Sequence, residues 1–119
     1  MNESDIQKAV VTMLRYRRLD CVWWHTPNQG NFPVQYRRKL AAMGLLPGVA
    51  DLVFIDCPAI PKGVGFIELK TKEGRKNPNQ EAFAETCAER GIPYEVVKSS
   101  EPNDANVKVL RILRKWGVT

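Results

Sequence analysis

The chain has 119 residues, of which 44% are hydrophobic and 26% are charged, a composition typical of a soluble globular protein. This length predicts one domain over residues 1–119 and excludes two. The sequence contains neither a run of about 18 apolar residues nor a signal-peptide core, so we expect a cytoplasmic protein without a membrane partner. Lys and Arg exceed Asp and Glu by 18 to 13, giving a net charge of +5, which suits a polyanion such as DNA.

The pattern of apolar and turn-forming residues predicts eight elements. Their order is helix, strand, helix, strand, strand, helix, strand, helix. The predicted spans are residues 2–17, 21–26, 35–43, 52–55, 66–70, 78–90, 92–97 and 103–116. Because a helix connects the last two strands, this pair is expected to be parallel with a right-handed crossover. The elements therefore predict an α/β fold with a mixed sheet and helices on both sides.

The first predicted helix has two candidate starts. Asn2 or Ser4 can serve as its N-cap, and Ser4 with Gln7 matches a capping box. Glu3 and Asp5 lie in the first turn, where either carboxylate would interact favourably with the helix dipole. From the residues alone, Glu3 therefore needs no further function.

The next strand and helix carry candidates for contact with a polyanion. Trp23 and Trp24 point to opposite faces of the strand, so one belongs to the core and a helix or a dimer partner could cover the other. His25, the only histidine, stands at the strand's end. In the following helix, Arg38 and Lys39 are the candidates for phosphate contact, although a solvated basic face explains them equally well.

The segment from residue 48 to 70 is the most specific part of the chain. Asp51 precedes a short apolar strand, and Glu68 and Lys70 share one face of the next strand while Leu69 faces the core. An antiparallel pairing would place two carboxylates beside one ammonium, which is a plausible magnesium site. A Glu-x-Lys pair alone is usually a solvated ion pair, but Asp51 at the mouth of a buried strand needs a partner or a metal.

The C-terminal half begins with a polar turn that contains Lys72 and Arg75. Asn77 as N-cap and Pro78 at the first helical position start the next helix, and Gln80 falls in its first turn. The apolar residues predicted to pack the last helix are Val107, Leu110, Ile112, Leu113 and Trp116. The three cysteines are widely spaced and odd in number, which indicates small buried residues and neither a disulfide framework nor a zinc site.

These residues resemble a known family. Asp51 followed by Glu68, Leu69 and Lys70 resembles the PD-(D/E)XK nuclease signature, and GVADLVFI, GFIELKTKEGR and NPNQEAF resemble its VRR-NUC branch, the virus-type replication-repair nucleases. The resemblance extends from about residue 3 to residue 98, with Ala50 in place of the family's usual proline. It implies a restriction-endonuclease-like core with a four-stranded mixed sheet, and a DNA endonuclease that depends on Mg²⁺ or Mn²⁺.

The resemblance also implies roles for single residues. The catalytic residues would be Asp51, Glu68, Lys70 and Gln80, and the metal ligands would be Glu3, Asp51, Glu68 and the main-chain carbonyl of Leu69. The candidates for nucleic-acid contact are His25, Asn28, Arg38, Lys39, Lys72 and Arg75. A histidine with no catalytic task and a merely exposed glutamine remain the alternatives for His25 and Gln80.

Members of this branch without an additional DNA-binding domain look like homodimers acting on branched DNA such as Holliday junctions, in DNA repair. We therefore expect a homodimer, because symmetric cutting of two strands needs two active sites related by a two-fold axis. Two alternatives stay open: a non-catalytic nucleic-acid-binding module of the same fold, and a nuclease subunit that relies on a partner for recognition.

Overall fold

The computed structural model describes residues 2–26 and 33–119 and shows the elements in the predicted order. The helices are α1 (Glu3–Arg17), α2 (Val34–Ala42), α3 (Pro78–Glu89) and α4 (Pro102–Lys115). The strands are β1 (Val22–His25), β2 (Leu52–Ile55), β3 (Gly65–Lys70) and β4 (Tyr94–Lys98). The predicted α/β class is confirmed. None of the helices in the described ranges is both long and apolar enough to cross a membrane.

The four strands form one mixed sheet in the order β1-β2-β3-β4. β1, β2 and β3 are antiparallel neighbours, whereas β3 and β4 are parallel and connected through α3. The predicted antiparallel hairpin and parallel crossover are both confirmed. In the hairpin register Leu52 pairs with Ile67, so Asp51 lies just outside the ladder, level with Glu68.

Side chains alternate along β3 and separate the two layers of the fold. Ile67 and Leu69 belong to the main core, which α1 and α4 complete with residues such as Val10 and Val109. Phe66 points to the opposite face and meets Phe83 of α3, with 5.0 Å between the ring centroids. Because Glu68 is two residues from Phe66, it shares the α3 face. The side chain of Glu68 therefore has the apolar contact of Phe66 with Phe83 on one side and the end of β3 on the other.

The structure decides between the two candidate N-caps of α1. Asn2 is the N-cap: its side chain accepts a hydrogen bond from the Asp5 N–H at 2.9 Å, and the Asp5 carboxylate accepts one from the Asn2 N–H at 3.2 Å. The predicted box of Ser4 and Gln7 is wrong, because the helix begins at Glu3 and Ser4 already lies inside the first turn. With Asp5 occupied in the cap, Glu3 is left for another function.

The prediction for α4 is wrong at Val107, and Leu110 is only half-buried and is not among the core residues. Val107 is 55% exposed, because the buried stripe of this helix runs through residues three or four apart and Val107 falls between them. The stripe consists of Ala105, Val109, Ile112, Leu113 and Trp116. In β1, Trp23 stacks on Phe54 while Trp24 is 45% exposed, as the alternation predicts. Cys57 and Cys87 are buried, and Cys21 packs against the core.

Gly48 holds the segment before Asp51 against the start of α3. Its φ is +87°, in the region that favours glycine, and a Cβ atom there would lie 2.2 Å from the main-chain oxygen of Asn79. Gly44, four residues earlier, also has a positive φ of +102° but faces open space. Of these two glycines, Gly48 is the one at which backbone conformation and close approach both require glycine.

We expect Gly48→Ala to destabilise the fold more than Gly44→Ala. The left-handed backbone alone costs an alanine about 1–3 kcal/mol, and at Gly48 the clash with Asn79 adds to that cost. Urea unfolding of both variants measures the difference. Equal free energies of unfolding would mean that Asn79 moves aside freely and that the close approach is unimportant.

Candidate metal centre

Three acidic side chains converge at one end of the sheet. Asp51 precedes β2, Glu68 lies in β3, and Glu3 opens α1. One carboxylate oxygen from each lies within 4.8 Å of the other two. The hairpin register brings Asp51 beside Glu68, and the first turn of α1 adds Glu3 from the neighbouring layer. The structure thus brings together the three carboxylates predicted to bind metal.

Asp51 is fixed by the backbone around it. Its Oδ2 atom accepts a hydrogen bond from the main-chain N–H of Leu69 at 2.8 Å, and its main-chain oxygen accepts one from the Thr26 N–H at 2.8 Å. In a strand, the N–H and C=O of one residue face the same neighbour. The Leu69 carbonyl therefore faces the Asp51 side, as its predicted role as a ligand requires.

Glu68 is the most unusual residue of this cluster. A glutamate side chain is ordinarily ionised and solvated, yet this residue is only 1% exposed. Its Oε2 accepts a hydrogen bond from the Gln80 Nε2 at 3.2 Å and lies 3.9 Å from the Lys70 Nζ. Its Oε1 is buried without a hydrogen-bond partner among the described residues. A buried carboxylate oxygen with no donor is the kind of atom that a cation satisfies.

Gln80 reaches Glu68 because the N-terminus of α3 orients its side chain. The Asn77 side chain accepts a hydrogen bond from the Gln80 N–H, and the Gln80 Oε1 accepts one from the Asn77 N–H at 3.0 Å. This capping box leaves the Nε2 of the same amide free to donate to Glu68. The simpler alternative, a merely exposed residue of the first turn, therefore does not describe Gln80.

The electrostatics of the cluster favour a bound proton or a cation. The pKa of Glu68 is raised from 4.5 to about 9, mainly by burial and then by the nearby Asp51, with Lys70 opposing the shift in part. Burial also raises the pKa of Glu3, with Lys70 opposing and Asp51 reinforcing that shift. Three carboxylates at this separation repel each other unless positive charge compensates them.

His25 borders the same cluster. Its Nδ1 lies 3.0 Å from the main-chain oxygen of Asp51 and 2.9 Å from the Nε2 of Gln7. A cleft of about 520 Å³ opens there. The described residues that line it are Asn2, Glu3, Ser4, Gln7, Lys8, His25 and Asp51. His25 is therefore held at the mouth of the acidic cluster, although its nucleic-acid contact stays a prediction.

The remaining candidates for nucleic-acid contact do not line this cleft or fall outside the described ranges. Arg38 and Lys39 are exposed on α2, a helix in which no residue is buried. Lys72 and Arg75 are exposed in the turn that follows β3. Asn28 lies outside the described residues. Within residues 2–26 and 33–119, no hydrogen bond or ion pair connects the side chain of Arg38, Lys39, Lys72 or Arg75 to the acidic cluster. The predicted contacts of all five residues stay predictions.

Tyr94 belongs to the site and was missed by sequence reasoning. Glu68 pairs with Val96 in the parallel register, so Tyr94, two residues earlier, shares its face. Burial raises the pKa of the Tyr94 hydroxyl, and the charge of Glu68 raises it further. The hydroxyl has no hydrogen-bond partner among the described residues. The register of β4 would have revealed this position, but no local pattern sets that register.

The donor set fits a hard divalent cation. Its members are carboxylate oxygens with a main-chain carbonyl nearby, the ligands that Mg²⁺ and Mn²⁺ prefer. Such an ion would bind the Glu68 Oε1, which has no hydrogen-bond partner among the described residues, and would offset the mutual repulsion of the carboxylates. Glu3, Asp51 and Glu68 would hold it.

Comparison with known proteins places the chain in a family. The VRR-NUC domain matches residues 1–101, and the chain belongs to that family, which is one of nuclease domains. A solved structure described as a VRR_NUC domain protein aligns with 97% of this chain and 90% of its own, at 19% identity and a TM-score of 0.73. A second, described as a VRR_NUC domain, aligns with 91% and 94%, at 21% identity and a TM-score of 0.54. No curated protein matches the sequence.

We expect the metal-free protein to lose stability as the pH rises from 4.5 towards 9, the ordinary and folded-state pKa values of Glu68. In this interval the folded protein holds a proton that the unfolded chain releases, so unfolding becomes more favourable as pH rises. Thermal melts in EDTA measure the effect, and added Mg²⁺ should reverse it most strongly at the high end.

Glu68→Gln is the matched variant because its amide mimics the protonated acid in shape. Its melting temperature should depend less on pH than that of the wild type and respond less to Mg²⁺. Parallel pH profiles for the two proteins would show that Glu68 keeps an ordinary pKa and that the cluster is not under electrostatic stress.

Proposed function

We propose that this chain is a DNA endonuclease that depends on Mg²⁺ or Mn²⁺. The observation that carries the proposal is the convergence of Glu3, Asp51 and Glu68 within 4.8 Å beside Lys70. Membership of a nuclease family supports hydrolysis of a phosphodiester as the reaction. When bound, the ion would stabilise charge developing on the scissile phosphate and lower the pKa of the attacking water.

Lys70 is placed to handle that water. Its Nζ lies 3.9 Å from the Glu68 Oε2, and its side chain is only 10% exposed. An ammonium held beside carboxylates can orient a water by hydrogen bonding and can partly neutralise the approaching phosphate. We therefore assign Lys70 the positioning of the nucleophile.

Gln80 and the Leu69 amide support the reacting groups. The Gln80 Nε2 restrains the Glu68 Oε2, and the Leu69 N–H restrains the Asp51 Oδ2. Each carboxylate thereby keeps one oxygen in a protein hydrogen bond and presents the other. This division fixes the direction of the free oxygens, which is how surrounding hydrogen bonds tune a metal site.

We further propose a homodimer that acts on branched DNA such as four-way junctions. β1 is an edge strand whose Val22 and Trp24 are exposed, and Val34 of α2 and Met43 at its C-cap are exposed as well. A second copy of the chain would cover such apolar side chains. A two-fold dimer would also present two acidic clusters to the two strands of a symmetric junction. Under this proposal His25, Asn28, Arg38, Lys39, Lys72 and Arg75 contact the DNA.

We expect the wild type to cut a labelled four-way junction with Mg²⁺ or Mn²⁺ and to leave it intact in EDTA. Lys70→Met removes the ammonium while keeping most of the side-chain volume, and should lower the single-turnover rate at least about 10²-fold. Linear duplex and single-stranded DNA assayed alongside measure the preference for branched DNA.

Lys115→Met is the control, since Lys115 is exposed at the end of α4 and lines no part of the acidic cluster. Circular dichroism verifies the folding of both variants, and light scattering measures their mass. Unchanged cutting by folded Lys70→Met would contradict the assigned role. Salt-sensitive binding with no cutting in either metal would instead favour a non-catalytic DNA-binding module, and the mass of one chain would contradict the dimer.

A further inference from the structure

A second cleft adjoins the acidic cluster along the outer side of α1. It measures about 450 Å³. The described residues that line it are Gln7, Lys8, Val11, Thr12, Arg15 and His25, which together we call the α1 groove. Gln7, Lys8 and His25 also line the cleft that contains Glu3 and Asp51. The two clefts therefore share a wall, and the α1 groove leads directly away from the candidate metal centre.

The charge of the lining side chains changes from negative at the acidic cluster to positive in the α1 groove. Two cations, Lys8 and Arg15, line the α1 groove, and no carboxylate is among its described lining residues. Both cations are exposed, and neither forms an ion pair within residues 2–26 and 33–119. Arg15 also complements the helix dipole from the last turn, but Lys8 lies in the second turn, where a dipole gives no reason for a cation.

The spacing of these residues suits an extended chain of phosphates. Lys8, Thr12 and Arg15 are four and seven positions apart, so they lie along one face of α1. Seven residues span about 10.5 Å of helix axis at 1.5 Å each. About three phosphates of one DNA strand rise through the same distance at 3.4 Å each. The two cations are therefore spaced to contact a single backbone that follows the helix.

A third cleft, between the segment before Asp51 and α3, has a different chemistry. It measures about 280 Å³ and is lined by Leu46, Pro47, Asn79, Ala82, Phe83 and Thr86. No charged side chain is among these described residues, so it offers a phosphate no counter-charge. Of these three clefts, the α1 groove is the one whose described lining residues include cations without a carboxylate, which suits a polyanion.

We propose that the α1 groove binds the DNA strand that flanks the scissile phosphate, with Lys8 and Arg15 contacting backbone phosphates about three positions apart. This inference rests on the proposed nuclease function and adds a path for the substrate. Gln7 and His25, in contact through the His25 Nδ1, form the boundary where the strand passes from the groove to the acidic cluster. None of the previously predicted contacts on α2 or after β3 lies on this path.

The test compares the salt dependence of DNA binding in EDTA, where cutting does not interfere. Each phosphate that a protein cation neutralises adds about 0.9 to the magnitude of the slope of log K against log salt concentration, so removing one contact lowers that magnitude by the same amount. We expect the double variant Lys8→Gln/Arg15→Gln to lose about two units of slope on a fixed duplex. The double variant Arg114→Gln/Lys115→Gln removes the same charge from α4, outside the groove, and should keep the wild-type slope.

A second readout locates the contact. The duplex arms on either side of the cleavage position are shortened in turn by about three nucleotides, the length that the groove spans. Shortening one arm should weaken binding by the wild type and leave the Lys8→Gln/Arg15→Gln protein nearly unaffected. Equal sensitivity of both proteins to either arm would overturn the path.

The outcomes separate this inference from the nuclease proposal. Metal-dependent cutting by the wild type, with the same salt slope for both double variants, would overturn the groove and leave the nuclease intact. A slope lost only in Lys8→Gln/Arg15→Gln, with no cutting under Mg²⁺ or Mn²⁺, would support the groove and overturn the nuclease. A wild type that neither binds nor cuts DNA would overturn both.

Discussion

The burial of the Glu68 carboxylate is the constraint on which the rest of the site depends. Only 1% of this residue is exposed, yet it shares its surroundings with Asp51 and Glu3 and has Lys70 as its nearest cation. Burying such a group lowers stability unless a proton or a cation compensates it. The folded protein is therefore destabilised by this buried cluster of carboxylates, and a bound divalent ion would remove part of that cost. The free energy of unfolding is thereby coupled to occupancy of the site.

The scaffold tolerates this cost because rigid elements hold every member of the cluster. Glu68 lies in a central strand with neighbours on both sides, and Asp51 is hydrogen-bonded to the Leu69 amide of that strand. The capping box of α3 aims Gln80 at Glu68, and Gly48 brings the preceding loop against the same helix end. Preorganisation of this kind keeps mutually repelling groups close together before any substrate arrives.

Those parts of the site that depend on local pattern could be predicted from the sequence. The apolar block after Asp51 and the alternation of Glu68, Leu69 and Lys70 define two strands, and their short connection implies an antiparallel pair. The Asn-Pro start of α3 placed Gln80 in its first turn, while its role beside the metal came from the family resemblance. Residues that meet only through distant pairing could not be predicted in this way. Tyr94 depends on the register across the α3 crossover, and the contact of Gln7 with His25 depends on how α1 packs beside β1.

Errors in the sequence-based description have a similar origin. Asn2 and Ser4 are both good N-caps, and only the packing of α1 determines which of them begins the helix. Val107 is apolar, but the stripe that packs α4 is defined by its neighbours on α1 and β4 and leaves that residue exposed. Apolar character alone does not identify a buried face, because many surface atoms of a folded protein are apolar.

Calorimetry of Mn²⁺ binding near neutral pH, in two buffers with different ionisation enthalpies, tests the central claim most directly. The pKa of Glu68 is raised to about 9, so the metal-free site holds a proton that the ion must displace. We expect about one proton to be released for each ion bound, and no release from Glu68→Gln. Binding without proton release, or no binding at all, would contradict the account of Glu68 as a buried acid held ready for a cation.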